Sequence, residues 1–358
     1  MVSLFFFFLS FLILLLSFKN HVSASQPSPE ALLSETVFVR SSPNHSNGFS
    51  SSSLPQNPPS VIMYVDPCGA DPRKLVIRRA GDSSPLEKKL SMELTNDMRT
   101  IGTSNGWLTT LKEGVMGLQD IVASDADPKR ISLPPLEALP HCQTQIITNV
   151  AISSSSPEEE DCVVAVKFLG PQLSFFRFAQ SNSEWTNIRI PNPCFFSSPV
   201  MYSKKDNMFR IPGCGGHLIA SWDLHKHGEK PKFRRFQFRK ILNLTKNNKT
   251  FLDSCYKSEH LVESITTGET FMVKLYKKTI GGTARIKTEA LMVFKLDDKG
   301  SAVYTQDIGD LCIFLTKSEP FCVPSSSLPD MYPNHVKILD VNETTIVNLA
   351  DQFESGNY

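Results

Sequence analysis

Cysteine and histidine side chains near the middle of the chain are the first candidates for chemistry. Cys214 lies in the glycine-rich run Gly213–Gly216 and His217 follows it, so a thiol nucleophile beside a base is one interpretation. A glycine run can also cradle a phosphate, but only where a strand leads through the loop into a helix. Because a strand is expected after this run, we interpret it as a turn between strands and Cys214 as an ordinary small residue.

A histidine pair and a basic stretch lie within residues 225–240. His225 and His227 are two apart, which would place both imidazoles on one face of a strand. Zn²⁺ needs three or four ligands, so we interpret the pair as part of a solvated loop. The stretch 226–240, KHGEKPKFRRFQFRK, alternates cations with phenylalanines. Such alternation suits a surface for single-stranded nucleic acid, and equally a β-strand with aromatics inward and cations outward; the neutral charge of the whole chain favours the strand.

The signatures of a metalloprotease, a dinucleotide site and a phosphate loop do not occur: the sequence has no H-E-x-x-H, G-x-G-x-x-G or G-x-x-x-x-G-K-[ST]. The chain of 358 residues carries 37 basic and 36 acidic side chains, a formal charge of +1. That balance argues against a partner reached mainly through charge, such as nucleic acid or an acidic membrane surface. We predict no catalytic, cofactor-binding or metal-ligating residues, and no nucleic-acid partner.

The elements that would position these residues are short strands. From about residue 61 to 350 the chain mixes β-branched and aromatic residues with alternating polar ones, as half-buried strands do. Examples are SVIMYV (60–65), CVVAVKF (162–168) and TFMVKLY (270–276). Only residues 86–98 are predicted to be helical. The pattern therefore predicts an all-β chain.

A weak internal repeat of about 40–50 residues accounts for the length of this region. Its units begin near five residues: Ile101, Cys162, Val200, Leu261 and Ala302. Tryptophans mark the first three units: Trp107, Trp185 and Trp222. Division of about 290 residues into units of ~45 predicts a kelch-like β-propeller of about six blades. We expect ring closure to place the strands near 61–79 in the same blade as those near 336–349, or next to them.

The remaining residues divide into a leader, a linker and a tail. Residues 1–24 begin with a long apolar run, which predicts a secretory signal peptide; a membrane anchor, an organelle-import segment and a gene-model artefact are the alternatives. Residues 25–60 are rich in Ser and Pro and predict a disordered linker. The propeller then takes residues 61–350 and a tail takes residues 351–358.

Two features would matter in the secretory pathway. Four glycosylation sequons occur, at Asn44, Asn243, Asn248 and Asn342. All eight cysteines follow the leader, and their even number permits disulfides; the alternative is that they are reduced core residues.

Several segments resemble the plant KIB-type β-propeller family, known as domain of unknown function 295. They are IGTSNGWL (101–108), RISLPPL (130–136), SEWTNI (183–188), MYSKKDNMFRI (201–211), TEALMVFKLD (288–297) and the block 307–340. The last block is the most specific and contains Gly309-Asp310. We interpret Gly106 with Trp107, and Gly309 with Asp310, as structural residues of a hairpin turn and of a turn that enters a strand.

The resemblance implies a function in protein recognition. In that family the propeller commonly follows an F-box, which docks on an adaptor of a ubiquitin-ligase complex, and the propeller is thought to recruit a protein. Residues 25–60 do not resemble an F-box, so adaptor binding is not expected. The expectation is a non-catalytic interaction propeller with a protein partner of unknown identity. A secreted or organellar propeller that binds a glycan or peptide is the alternative, and an enzyme with a site in the central channel is a further one.

The leader decides the expected location. It predicts the secretory pathway or the extracellular space, with no stable membrane anchor after its removal. Family members that lack the F-box and carry organelle-targeting leaders make the mitochondrion the alternative. If the leader is a gene-model artefact, the cytoplasm or nucleus is expected.

Overall fold

The computed structural model shows a chain of strands arranged as the blades of a β-propeller. It describes residues 99–351 except 121–128, 143, 158–160, 179–183, 224–229, 241–244, 265, 280–285, 317–318, 328–330 and 341–342, together with the backbone of four earlier strands. The leader, most of the linker and nearly all of the tail lie outside the described residues.

The four earlier strands form an N-terminal sheet. They are β1 (Val37–Val39), β2 (Ser60–Val65), β3 (Lys74–Arg79) and β4 (Leu86–Lys89), which pair antiparallel in that order. Strand β1 lies within the segment predicted to be linker. Strand β4 occupies the start of the segment predicted to be helical, so that helix prediction is wrong at residues 86–89.

Blades 1 to 3 are four-stranded antiparallel meanders, each following chain order. Blade 1 contains β5 (Arg99–Ser104), β6 (Trp107–Lys112), β7 (Val115–Asp120) and β8 (Arg130–Pro135). Blade 2 contains β9 (Ile147–Ile152), β10 (Val163–Phe168), β11 (Gln172–Arg177) and β12 (Thr186–Arg189). Blade 3 contains β13 (Met201–Ser203), β14 (Met208–Pro212), β15 (Leu218–Trp222) and β16 (Lys232–Arg235). A 3₁₀ turn, Pro193–Phe195, connects blades 2 and 3.

Blades 4 and 5 depart from the simple meander. Blade 4 has five strands in the order β18-β19-β20-β21-β17, and β17 runs parallel to β21. Its elements are β17 (Gln237–Arg239), helix α1 (Lys246–Asp253), β18 (Tyr256–Glu263), β19 (Thr270–Thr279), β20 (Ile286–Leu296) and β21 (Ser301–Thr305). Blade 5 has the order β23-β22-β24-β25, and β22 runs parallel to β24. Its strands are β22 (Leu311–Thr316), β23 (Phe321–Pro324), β24 (His335–Asp340) and β25 (Glu343–Asn348), with a 3₁₀ turn at Ser325–Ser327.

The prediction of an all-β propeller is confirmed, and its finer details are corrected. Five blades span Arg99 to Asn348, one fewer than the predicted six or so. Strand β24 pairs with β22 and β25, so the strands near 336–349 do not share a blade with those near 61–79. Helix α1 was not predicted from the sequence; Thr245 caps its N-terminus by accepting a hydrogen bond from the Asn248 backbone N–H at 3.2 Å.

Stacking of the blades buries both faces of the middle strands. Every residue of β10 is buried. Because side chains alternate along a strand, Val163 belongs to the apolar cluster that holds Trp222 of blade 3, and Val164 belongs to the cluster that holds Met116 of blade 1. The hydrophobic core is therefore a series of layers between neighbouring blades, and a blade is not stable without its neighbours.

Polar side chains also join the blades. Asn149 of blade 2 donates to the Val200 carbonyl at 2.7 Å and accepts from the Val200 N–H at 2.9 Å, just before blade 3. Glu343 of blade 5 accepts from the N–H and hydroxyl of Thr288 of blade 4, both at 2.9 Å. Ser104 of blade 1 donates to Glu319 beside blade 5 at 2.9 Å, so the first and last of the five blades touch. These bonds satisfy buried polar groups at the junctions.

Candidate functional site

Residues 230–240, which we call the basic edge, form an outer rim of blades 3 and 4. Strand β16 is the outermost strand of blade 3 and β17 is the outermost strand of blade 4, so a single segment crosses from one blade to the next. The crossing is held by two backbone hydrogen bonds of 2.8 Å, from Phe236 N–H to the His217 carbonyl and from Gln237 N–H to the Gly300 carbonyl.

The side chains of the basic edge separate into two faces. Phe236 is buried, and Phe238 is half-buried with its ring 4.7 Å from both His217 and Phe294. Five cations are exposed: Lys230, Lys232, Arg235, Arg239 and Lys240. The predicted inward aromatics are confirmed for Phe236 and Phe238. The prediction of a single strand is wrong, because the segment forms β16 and β17 in two blades, and on β16 Phe233 is exposed.

Phe233 is a large apolar side chain on the surface. It is 53% exposed, and its ring stacks on the fully buried ring of Phe195 with centroids 5.8 Å apart and 28° between the planes. The contact with a buried ring fixes the orientation of Phe233. A fixed aromatic side chain among cations is a feature typical of protein–protein contact surfaces.

A cleft of about 410 Å³, including space open to solvent, lies beside the basic edge between blades 3 and 4. It is lined by Lys205, Asp206, Arg210, Ile219, Ser221, Arg234, Phe236, Thr270, Leu296, Asp297 and Asp298. Asp298 lies 3.6 Å from Lys205 Nζ and 3.8 Å from Arg234 Nη1. The three cations face three carboxylates, so the cleft itself has little net charge.

Arg210 lies at the floor of this cleft. Its side chain is 14% exposed and is paired with Asp206, while its Nε–H is buried without a partner among the described residues. Burial lowers the pKa of the guanidinium, and Glu263 opposes that change. Glu263, on β18, accepts from Ser203 Oγ at 2.9 Å and from the Lys204 N–H at 2.8 Å, which ties blade 4 to the loop beside the cleft.

The glycine-rich run forms the hairpin between β14 and β15, as predicted. Gly216 has φ of +71°, and a Cβ there would collide with the Met272 side chain, so any other residue would be strained and would force Met272 to shift. Two charged side chains of blade 4, the buried Glu259 and the half-buried Lys274, hold the hairpin. Glu259 accepts from the Gly215 N–H at 2.9 Å, and Lys274 donates to the Gly215 carbonyl at 2.8 Å. Burial raises the pKa of Glu259 and lowers that of Lys274 to about 8.

Glu259 and Lys274 were missed at the sequence level. They lie directly opposite each other on β18 and β19, so their opposite charges are a cross-strand pair. The sequence indicates this pair only once the register of β18 and β19 is known. Cys214, in the same hairpin, is exposed and is described further below.

One match to an enzyme motif was also overlooked. Gly102-Thr-Ser-Asn-Gly106 fits the pattern G-x-S-x-G, in which a serine nucleophile occupies a strand-to-helix turn. Here Ser104 ends β5 and a hairpin leads directly into β6. Ser104 is buried, donates to Glu319 and accepts from the Ile152 N–H at 2.8 Å. Its hydroxyl is therefore engaged in joining blades and is not presented at a helix N-terminus.

Ser258 Oγ lies 3.2 Å from His260 Nε2 on β18, the contact that a serine nucleophile makes with its base. The two residues are two apart on one strand, and that spacing alone brings their side chains to the same face. The pair is thus explained by the strand geometry.

The signature tryptophans occupy the layers between blades. Trp107 is buried and donates from Nε1 to the Ser155 carbonyl at 2.8 Å, across the junction of blades 1 and 2. Trp185 is half-buried and donates to the Pro134 carbonyl at 2.9 Å, across the same junction. Trp222 is fully buried between blades 2 and 3.

The signature glycines and Asp310 lie in turns. Gly106 has φ of +88° in the hairpin before Trp107, and Gly309 has φ of +66° at the turn into β22. Asp310 accepts hydrogen bonds from Ser325 and Ser326, and these bonds lower the pKa of its carboxyl. It thereby fixes the 3₁₀ turn after β23.

Other predicted residues are only partly covered by the structure. His225, His227, Asn44, Asn243 and Asn342 lie outside the described residues. Asn248 lies on α1 and is half-buried, and its glycosylation stays a prediction. Among the described residues, no three His, Cys, Asp or Glu side chains converge as metal ligands would. No helix in the described part of the chain has the length and apolarity to cross a membrane.

Comparison with protein families gives one match, the KIB1-4 beta-propeller family model, over residues 82–356. No curated protein matches the sequence. Among solved structures, the chain is similar to a streptogramin B lyase, at 8% identity and a TM-score of 0.35, covering 78% of this chain and 84% of that one.

Two further solved propellers give similar values. The Cps50 (Swd1) domain of Myceliophteria thermophila has 13% identity and a TM-score of 0.30, covering 64% of this chain and 69% of its own. BBS1N in complex with ARL6DN has 12% identity and a TM-score of 0.31, covering 70% and 78%. At these values the similarities say nothing about what the chain binds.

Proposed function

Because the chain belongs to the KIB1-4 β-propeller family, we propose that it is a non-catalytic protein-interaction module without an F-box. Its partner binds the basic edge through an acidic segment. The observation that carries this proposal is the set of exposed cations on β16 and β17 around the fixed ring of Phe233. The propeller supplies a rigid support, because the inner side of the edge is anchored in the layer between blades 3 and 4.

Charge complementarity identifies the partner as acidic. The whole chain has a formal charge of +1, so the cations of the basic edge are a local concentration. Asp206 and Asp298 pair with Lys205, Arg210 and Arg234 in the cleft. Of the five exposed cations only Arg239 has a described electrostatic interaction with a carboxylate, that of Asp297, and the set favours fast association and correct orientation of an acidic partner.

Phe233 distinguishes a binding role for the basic edge from a purely protective role, in which the charges only prevent pairing with another sheet. Charged side chains on an outer strand prevent pairing between the sheets of two molecules. That role needs no exposed aromatic ring, and an exposed ring works against it. Phe233 instead supplies the apolar contact that a binding surface needs near its centre.

Reversing two charges on the basic edge is expected to abolish most of the binding of acidic peptides. The probe is a panel of short synthetic peptides rich in Asp and Glu with one central leucine or phenylalanine. Arg235→Glu combined with Arg239→Glu should weaken the tightest peptide by about tenfold or more, equivalent to 1.4 kcal/mol per tenfold. Fluorescence anisotropy at several salt concentrations measures it, and binding by the unaltered protein should fall as salt rises.

The matched control reverses two exposed lysines of α1, Lys246→Glu and Lys249→Glu, which are not part of the basic edge. Acidic residues in the first turn of a helix are favourable, so this variant should remain folded and should bind nearly as well as the original. Equal losses in both variants would contradict a localised site. If no acidic peptide binds the unaltered chain, the proposed partner class is wrong.

For location, we propose that the leader directs the chain to the secretory pathway. The leader and the four sequons support this. Endoglycosidase treatment of the native protein should increase its electrophoretic mobility, and a fluorescent fusion should follow secretory compartments. A mitochondrial or cytosolic signal with unchanged mobility would contradict this placement.

A further inference from the structure

Cys194 and Cys214 are neighbours in space although two strands, β13 and β14, separate them in the chain. Cys194 lies in the 3₁₀ turn Pro193–Phe195, and Cys214 lies in the hairpin between β14 and β15. The Cys214 N–H donates to the Cys194 carbonyl at 2.7 Å. A Cβ built on Gly213 would lie 3.1 Å from the Cys194 sulfur, so that sulfur points toward the hairpin.

This separation suits a covalent bond between the two sulfurs. Backbone bond lengths and the hydrogen bond between Cys214 and Cys194 together limit the distance between their Cα atoms to about 6.6 Å. A disulfide needs a Cα separation of roughly 4.4–6.8 Å. The backbone contact therefore holds the two cysteines at a distance that a disulfide can span with side-chain rotation.

Exposure distinguishes this pair from the other described cysteines. Cys214 is exposed and Cys194 is half-buried. The other described cysteines are buried: Cys142, Cys162, Cys255, Cys312 and Cys322. An oxidant in solution therefore reaches Cys214 first, and Cys194 is the thiol adjacent to it.

We propose that Cys194 and Cys214 form an intramolecular disulfide when the protein meets a small disulfide oxidant such as glutathione disulfide. The Cys214 thiolate attacks one sulfur of glutathione disulfide, which forms a mixed disulfide and releases one glutathione. The Cys194 thiolate then attacks the Cys214 sulfur, which forms the protein disulfide and releases the second glutathione. The two thiol protons end on the two released glutathiones.

The environment of the thiols fits a stable link that forms slowly. Burial raises the pKa of Cys194 and of Cys214, so little thiolate is present at neutral pH and the exchange should accelerate as the pH rises. A stabilised thiolate would favour the reduced protein over the disulfide. Because neither thiolate is stabilised here, the equilibrium favours the disulfide. The link would also fasten the turn that carries Phe195, on which Phe233 stacks.

Peptide mapping of the full chain tests the proposal. The reduced protein is equilibrated with a glutathione redox buffer at mildly alkaline pH, alkylated with iodoacetamide and digested with trypsin. We expect one linked pair of peptides containing Cys194 and Cys214, a loss of two titratable thiols, and a melting temperature raised by roughly 5–10 °C. Tryptic sites at Lys204, Lys205 and Arg210 separate the two cysteines, so the link is detectable.

Variants distinguish the alternatives. Cys214→Ser should lose the linked pair and the rise in melting temperature, while Cys255→Ser, at a buried cysteine of blade 4, should retain both. Two outcomes would overturn the proposal. One is glutathione attached to Cys214 with Cys194 alkylated, and the other is a link that joins either residue to a different cysteine such as Cys68.

Discussion

Replacement of Lys167 by methionine is expected to lower the free energy of unfolding by about 2–4 kcal/mol at neutral pH. Lys167 lies on β10 and is fully buried. Its ammonium donates to the carbonyls of Phe168, Gly170 and Phe196, the latter two at 3.0 Å. In the protonated form three N–H donors thus meet three acceptors, and the neutral amine keeps two N–H donors for the same carbonyls. Methionine fills a similar volume but leaves all three carbonyls without this donor, and of the three Phe196 keeps a hydrogen bond from the Gly170 N–H at 3.0 Å.

The effect of this substitution should grow with pH. Burial lowers the pKa of Lys167 from 10.5 to about 7. Between these values the unfolded chain holds a proton that the folded chain has released, so stability rises as the pH increases from 7 toward 10.5. Below pH 7 both states hold the proton and this contribution does not change. The methionine variant lacks the slope, and the difference between the two proteins should increase by about 2 kcal/mol from pH 7 to pH 9.

Urea unfolding at both pH values measures these differences. The matched control is Lys287→Met, which removes an exposed lysine from β20 and should change stability by less than about 0.5 kcal/mol with no change in slope. Other groups titrate in the same range, and the comparison with the control cancels their contribution. A Lys167→Met variant as stable as the original at pH 7 would contradict the structural role, and an unchanged difference at pH 9 would contradict the lowered pKa.

The role of Lys167 shows where the sequence stops being informative. The run CVVAVKF predicted a strand correctly, and β10 has those residues. In a half-buried strand, a lysine in the alternating pattern would face solvent. A middle strand of a blade is buried on both sides by its neighbours, so the lysine is enclosed. Its partner at Gly170 lies in the hairpin that follows β10, but Phe196 belongs to the connection between blades 2 and 3, which only the folded chain brings to Lys167.

Turns were predictable because their residues are constrained locally. The Asn105-Gly106 and Gly213–Gly216 turns lie where the sequence places them, since positive φ restricts the choice of residue. Strand order was not predictable in the same way. In blade 5, β22 pairs parallel with β24, and that pairing depends on contacts between distant segments. The number of blades depends on such pairings. Division of the chain by the repeat length ignores them, and it therefore predicted about six blades.

The basic edge was half predictable. Alternation of Phe236 and Phe238 with cations indicated a strand with an apolar inner face, and the structure confirms that arrangement. Phe233 falls outside this pattern because its support, Phe195, comes from a turn almost forty residues earlier. The crossing of the segment from blade 3 to blade 4 also has no local signal, since it depends on the pairing of β17 with β21.

Trp222→Ala is expected to be the most destabilising substitution in the layer between blades 2 and 3. Trp222 is fully buried and shares an apolar cluster with Phe175, Phe195 and Phe209. Truncation to alanine leaves a large cavity between two blades, and the expected loss is about 3–5 kcal/mol. Since total stability of a domain is of the order of 5–15 kcal/mol, the variant should unfold at much lower urea concentration.

Trp222→Phe separates packing from hydrogen bonding. Trp222 Nε1 is buried without a partner in the described part of the chain, so phenylalanine removes an unsatisfied N–H and loses only volume. We expect a loss of about 1–2 kcal/mol, well below that of alanine. Trp107→Phe is the contrasting variant, because Trp107 donates to the Ser155 carbonyl and phenylalanine removes that bond. Urea unfolding of the three variants should therefore show Trp222→Ala as the largest loss and should show Trp107→Phe losing more than Trp222→Phe. Equal losses for alanine and phenylalanine at position 222 would mean that the indole does not pack the junction, and the layered core would need another anchor there.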